Sequence, residues 1–207
     1  MNQIANSAET RERLIQAAIQ LFGEHGFKGT TTRQLAEAAG ANIGSIAYHF
    51  TNKHGLYLAS AAYIADELHR RLAPPPLPAP TDRVASFATL RTLVARMVHT
   101  FTEDDDCRQW LLLVIREQVS PGEAFDILQA RAFQPIQMTL STLIARLTGR
   151  DPDDRRVILE THTLVGQIVF FLVGREPLLR RLGQDGYDAA TVAEIEALMA
   201  AQLARYA

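Results

Sequence analysis

The segment from Thr31 to Lys53, TTRQLAEAAGANIGSIAYHFTNK, restricts the fold more than any other stretch of the chain. Leu35, Ala36 and Ala39 fall on one face of a short helical repeat that Gly40 breaks. Ile43, Ile46 and Phe50 fall on one face of a second. Thr30 or Thr31 can cap the free N–H groups of the first helix, and Asn42 those of the second. Gly44 and Ala47 leave the second helix nearly bare, so its backbone can approach another surface closely. Two short helices around a glycine turn are the construction that lays one helix in the major groove of DNA. The same construction occurs in many all-α proteins that touch no nucleic acid.

Upstream, Leu14, Ile15, Ala18, Leu21 and Phe22 give a third helix one buried stripe. Thr10 is the expected N-cap, with an incomplete capping box, and Gly26 the expected stop. The polar groups left over suit a DNA surface. Thr32, Ser45, Tyr48 and His49 offer neutral hydrogen bonds, and Arg33 and Lys53 offer charge to phosphate oxygens.

Residues 11–58 resemble the N-terminal domain of the TetR family of bacterial transcription regulators. The carrying residues are Ala17-Ala18, Leu21-Phe22, Gly26-Phe27, Thr30-Thr31-Thr32, Ile43-Gly44-Ser45-Ile46, Tyr48-His49-Phe50, Lys53 and Leu56. Ala47 departs from the Tyr that many members carry, and Asn42 from a more usual Ser. The resemblance implies an operator contact set of Thr32, Arg33, Gly44, Ser45, Tyr48, His49 and Lys53. It also implies a homodimer on double-stranded operator DNA, released by a small-molecule effector.

Net charge is −2, which argues against a protein that simply coats nucleic acid. Residues 1–55 hold five cations against four carboxylates, enough for a specific reader with a few placed charges and a shallow salt dependence. With 47% hydrophobic and 21% charged residues the chain is globular. No apolar run approaches a membrane span; the longest candidate, around Val165 to Val173, is interrupted by Gln167. The N-terminus has no secretion signal, and Cys107 is the single cysteine, so neither a disulfide nor a cysteine zinc site is available. A cytoplasmic protein with no metal and no cofactor is the expectation.

No strand pattern of any length appears. The chain reads as all-α with about nine or ten helices: a helix-turn-helix domain over 9–55, then a helical-bundle ligand-binding and dimerisation domain over 56–207. A long helix over 53–72 leads to the extended run Pro74 to Pro80. Thr81 or Asp82 caps the next helix, and Trp110 to Ile115, apolar on all sides, predicts a central buried one. The acidic stretch Glu103 to Asp106 reads as an N-cap loop in preference to a metal site. Pro135 divides the following segment, Asp153 to Val173 forms a long helix, and Asp188 caps the last. In this half the proline connector, Arg116-Glu117 and Ser120-Pro121 look most similar to the CecR-like branch.

His162, Gly166 and Phe170 on one helix and Val192, Ile195, Met199 and Leu203 on another form stripes suited to a four-helix dimer interface, or else to an internal core. Phe87, Met97, Phe101, Trp110, Phe133, Met138 and Ile168 are candidates to line an effector pocket. Arg116 would meet an anionic group there, or pair with Glu117 or Glu123. The rivals are an all-α enzyme and a helical adaptor without DNA binding. No HExxH, GxSxG, phosphate-loop or dinucleotide motif supports catalysis, and Cys107 has no neighbouring histidine. The intact polar set of the reading segment argues against the adaptor.

Overall fold

The computed structural model describes residues 2–72 and 82–207, with side chains from Ser7 onward. The run Pro74 to Pro80 and the alternative cap Thr81 lie outside the described residues. No strand occurs among the described residues. Their contacts divide into two compact units, one of residues 1–67 and 108–133, the other of residues 68–107 and 134–207.

The first unit holds α1 (Asn2–Gly29), α2 (Thr32–Ala38), α3 (Ile43–Phe50), most of α4 (Lys53–Leu72) and of α6 (Asp105–Val119), and α7 (Glu123–Leu128). Helix α1 begins eight residues before the expected cap, so Thr10 lies inside it, where its hydroxyl meets the Arg13 guanidinium. Leu14, Ile15, Ala18, Ile19 and Phe22 of α1, Leu35 and Ala36 of α2, Ile46 and Phe50 of α3, and Leu56, Ile64 and Ala65 of α4 are buried. Trp110 and Leu113 of α6 are buried as expected, with Trp110 edge-on to Tyr63, but Leu112 is half exposed. Helix α1 approaches it closely, a Cβ at Gly23 lying 3.2 Å from the Leu112 Cβ, so the base of Leu112 meets α1 while the rest of its side chain stays in solvent.

The second unit is built around α5 (Arg83–Glu103), which packs on α8 (Gln134–Thr148), α9 (Arg155–Val173) and α11 (Ala189–Leu203); α10 (Arg175–Leu182) rests on α9. Asp82 caps α5, Asp154 caps α9 and Asp188 caps α11, each accepting a backbone N–H at 2.7–2.8 Å. Pro135 has no N–H to return to Arg131, and the ladder widens into a π-helical turn at Gln129–Phe133 that joins α7 to α8. Counting that bent pair as one helix gives ten among the described residues.

The core of this unit holds Leu90, Val94, Met97 and Val98 of α5, Leu143 and Ile144 of α8, and Leu164 and Ile168 of α9. Val192, Ile195, Met199 and Leu203 belong to it too, at 2%, 4%, 2% and 1% exposure. This corrects the expectation that they face a second subunit. A last helix must bury one face, and α5 of the same chain supplies the cover. The outer face of α9 is different: Leu159, His162, Gly166 and Phe170 are exposed, Phe170 at 67%. Helix α9 is also long and apolar enough to cross a membrane by length and composition alone, which the expectation of no such run had missed.

The acidic stretch has an internal explanation. Arg71 donates to Asp104 and Asp106 at 2.6 Å each, and Asp104 accepts the Asp106 N–H at 2.9 Å. No cluster of three metal-ligating side chains occurs among the described residues.

Candidate nucleic-acid interface

The interface starts where α1 fails. Gly26 takes φ 73° and ψ 171°, which breaks the ladder and frees carbonyls near the helix end. Thr30, itself buried, donates its hydroxyl to Leu21 O at 3.1 Å and Gly26 O at 2.9 Å. Lys53 Nζ donates to Phe27 O and Thr30 O, both at 2.9 Å, and stands 4.2 Å above the Phe27 ring. Arg116 donates Nε to Gly23 O at 2.8 Å and a terminal nitrogen to Glu24 O at 2.9 Å. Cations here do what they do at any helix C-terminus, meeting the negative end of the backbone dipoles.

The next two helices are capped from their own sequence. Thr31 accepts the Gln34 N–H at 3.2 Å, and the Gln34 side chain returns to the Thr31 N–H at 2.8 Å, a complete capping box for α2. Asn42 Oδ1 accepts the N–H of Ser45 at 2.9 Å and its hydroxyl at 3.1 Å. Helix α3 ends in a tight turn. Thr51 has φ 71° and ψ −47°, and the Asn52 N–H returns to Phe50 O at 2.8 Å, the rare positive-φ form of γ-turn. The turn throws the Phe50 carbonyl toward Gly55, where a Cβ would sit 2.0 Å from it, so only glycine fits.

Helix α3 is therefore held at both ends by short-range geometry, and its outward face is fixed. Gly44 and Tyr48 are exposed, Tyr48 at 79%, while Ser45 and His49 are partly covered. The Tyr48 and His49 rings stand edge-on at 4.8 Å. Thr32 is half-buried in the first turn of α2, and Arg33 beside it is exposed. Lys53 is the member of the expected contact set whose ammonium is already engaged, with two of its three N–H groups on backbone carbonyls.

Two features escaped sequence reasoning. Ile43, expected to point inward with Ile46 and Phe50, is 54% exposed. It is the first residue of α3, and the cover that α1 and α2 give Ile46 and Phe50 stops short of it. Arg11 lies 5.3 Å over the Phe50 ring, a charge placed against the end of α3 that only the packing of α1 reveals. Its helical neighbours at three and four residues, Ser7, Ala8, Leu14 and Ile15, carry no acid, whereas Arg13 reaches Glu9 at 3.9 Å.

The expected pocket residues do not gather into one lining. Trp110, Arg116 and Phe133 lie in the first unit, and Phe87, Met97, Phe101, Met138 and Ile168 in the second. Met97, Phe101 and Ile168 are core, Phe87 is half-buried and Met138 is exposed. Arg116 pairs with neither Glu117 nor Glu123; backbone carbonyls 92 and 93 residues away take two of its five N–H donors. Its neighbour Glu117, buried, accepts the Tyr57 hydroxyl and, at 2.8 Å, the Phe125 N–H. Burial and that bond to Glu117 push the Tyr57 hydroxyl far above its ordinary range, so it stays a donor. An open groove of about 290 Å³ between α5 and α11, lined by Ala88, Arg91, Thr92, Ala95, Glu196 and Leu203 among others, contains none of the expected pocket residues.

Residues 14–60 match the family described as bacterial regulatory proteins, tetR family. Residues 88–207 match the C-terminal domain of the HTH-type transcriptional dual regulator CecR. The chain belongs to the TetR family, in its CecR-like branch. This TetR-family chain is 37% identical to the HTH-type transcriptional dual regulator CecR of Shigella flexneri over 190 residues, 87% of this chain and 83% of the relative. It is 42% identical to the HTH-type transcriptional repressor AcnR of Corynebacterium glutamicum over 52 residues, 25% of this chain and 28% of that one. Its fold is shared with AibR, solved in complex with isovaleryl coenzyme A and operator DNA. The TM-score there is 0.68, at 17% identity over 93% of this chain and 97% of AibR. Salmonella enterica GusR superposes with a TM-score of 0.60, at 17% identity over 95% and 94% of the two chains. CecR and AcnR are regulators and not enzymes, and the TetR-family chain is a DNA-binding transcription regulator.

Proposed function

We propose that this regulator is a cytoplasmic repressor that binds a palindromic operator as a homodimer and lets go when a small, largely apolar or amphipathic effector binds. The observation that carries the reading is the outward face of α3. A helix capped at one end by Asn42 and stopped at the other by a strained turn presents Gly44, Ser45, Tyr48 and His49, with Arg33 exposed on α2. Thr32 and Arg33 serve the phosphates, Ser45, Tyr48 and His49 the groove, and Gly44 the close backbone approach. Lys53 has one N–H left for a phosphate after its two carbonyl bonds.

The dimer is supported by the exposed α9 face, where Leu159, Phe170 and Val173 stand in solvent around His162 and Gly166. A second copy of α9 covers that surface, and α11 adds Ala193, Ala197 and Leu198 from its exposed side. Burial in a dimer also accounts for an apolar α9 without a bilayer. Effector release follows from a ligand that prefers a spacing of the two recognition helices different from the roughly 34 Å that fits DNA.

The test is selection of double-stranded DNA from a random library, followed by affinity against salt. Enrichment of an inverted repeat, with a slope well under ten released counterions, is expected. Enrichment of no sequence, or a monomer at micromolar concentration, refutes the proposal.

A further inference from the structure

We propose that Ile43 is a base reader that selects thymine, through the C5 methyl group exposed in the major groove; the inference rests on the operator-binding reading above. Ile43 is the first residue of α3 and is 54% exposed, although isoleucine gains nothing from water. In helix-turn-helix readers the N-terminal residues of the second helix are the ones that reach base edges. Ala47, one turn later on the same face, is also exposed and adds only a methyl. Gly44 between them carries no side chain, and a Cβ there would lie 3.1 Å from the Asn42 cap oxygen. The Ile43 side chain therefore stands proud of a low backbone, flanked by an apolar neighbour instead of a polar one.

That surface matches one feature of the major-groove code. The edges of guanine, cytosine and adenine present donors and acceptors there, and thymine alone adds an apolar methyl group. Against the other three bases Ile43 strips water from polar atoms and returns no hydrogen bond. Against thymine it buries methyl on methyl. Ile43 thus contributes to sequence choice both by attraction to thymine and by a penalty on the rest. Tyr48, on the next turn and 79% exposed, remains free for its own hydrogen bond.

The experiment uses the full chain and the operator that it selects from random double-stranded DNA. Each thymine in turn is replaced by deoxyuridine, which removes the C5 methyl and changes nothing else on the edge. Affinities are measured for the wild type, Ile43→Ala and Ile43→Val at fixed salt, with circular dichroism to show that the helical content is unchanged. The wild type is expected to lose about fourfold at one thymine per half-site, the equivalent of one buried methyl at about 0.8 kcal/mol. Ile43→Ala binds the thymine operator more weakly and is indifferent to deoxyuridine at that position; Ile43→Val loses an intermediate amount. A deoxyuridine penalty that persists undiminished in Ile43→Ala, or no penalty at any thymine, overturns the assignment while leaving operator binding in place. Failure of the wild type to select any sequence strikes the operator-binding reading instead.

Discussion

Replacing Lys53 by Met separates a brace from a DNA contact. Methionine keeps most of the apolar stem and loses the ammonium, so the change removes the two 2.9 Å bonds to Phe27 O and Thr30 O and the charge 4.2 Å above the Phe27 ring. A hydrogen bond from a charged donor contributes about 1.5–3 kcal/mol and a partly exposed cation–π contact about 0.5–1 kcal/mol. The lower ends of these ranges sum to about 3.5 kcal/mol; the site is only partly buried and water can replace the donor at either carbonyl, so the loss falls below that sum, at about 2–3 kcal/mol. For a chain of this length that lowers Tm by roughly 5–10 °C. Chemical denaturation of the free protein is the assay, with amide exchange across α1 and α2 to locate the loss. The brace reasoning is refuted by a variant within about 0.5 kcal/mol of wild type in the absence of DNA. If that variant also loses one unit of salt slope in operator binding, the ammonium belongs to a phosphate.

The γ-turn after α3 makes a second substitution run against helix propensity. Gly55→Ala would ordinarily stabilise a helix by up to about 1 kcal/mol, yet its Cβ would sit 2.0 Å from Phe50 O, so a loss of at least about 2 kcal/mol and of operator binding is expected. An unchanged melting curve would sink this account of the turn. In the second unit the hydrogen bond to Glu103, aided by the charge of Glu103 and of Glu196 on α11, raises the His99 pKa. Its contribution is full below the ordinary imidazole value of 6.5 and is lost as pH rises through the raised one. The denaturation midpoint should therefore fall slightly from pH 6 to pH 8 by an amount that His99→Gln removes; an identical fall in the variant excludes His99. Phe170→Glu places a charge on the exposed α9 face and should yield a folded monomer by sedimentation, whereas an undisturbed dimer moves the interface elsewhere.

Local chemistry was legible in the residues themselves. Thr31, Asn42, Asp82 and Asp188 cap the helices that their spacing predicts, and Gly26 breaks α1, because a cap and its N–H groups lie within three residues of each other. The all-α class follows from the same periodicity. Which face of a helix finds a neighbour is a different question, and it was settled only by packing. The stripes of α9 and α11 are alike in sequence, yet α5 covers Val192 to Leu203 and leaves Phe170 in solvent. Ile43 shares the spacing of Ile46 and Phe50 but begins its helix beyond the reach of α1 and α2. Lys53 reads as a phosphate contact and Arg116 as the partner of an anion or a carboxylate until the fold brings carbonyls 26 and 93 residues away within 3 Å of them. Short-range hydrogen bonds are written in the order of residues, so the sequence alone determined the all-α class, the caps at Thr31, Asn42, Asp82 and Asp188, and the family, whereas the cap expected at Thr10 lies inside α1. Long-range burial depends on which surfaces meet, so only the tertiary structure decided which side chains remain free to touch DNA, a second subunit or an effector.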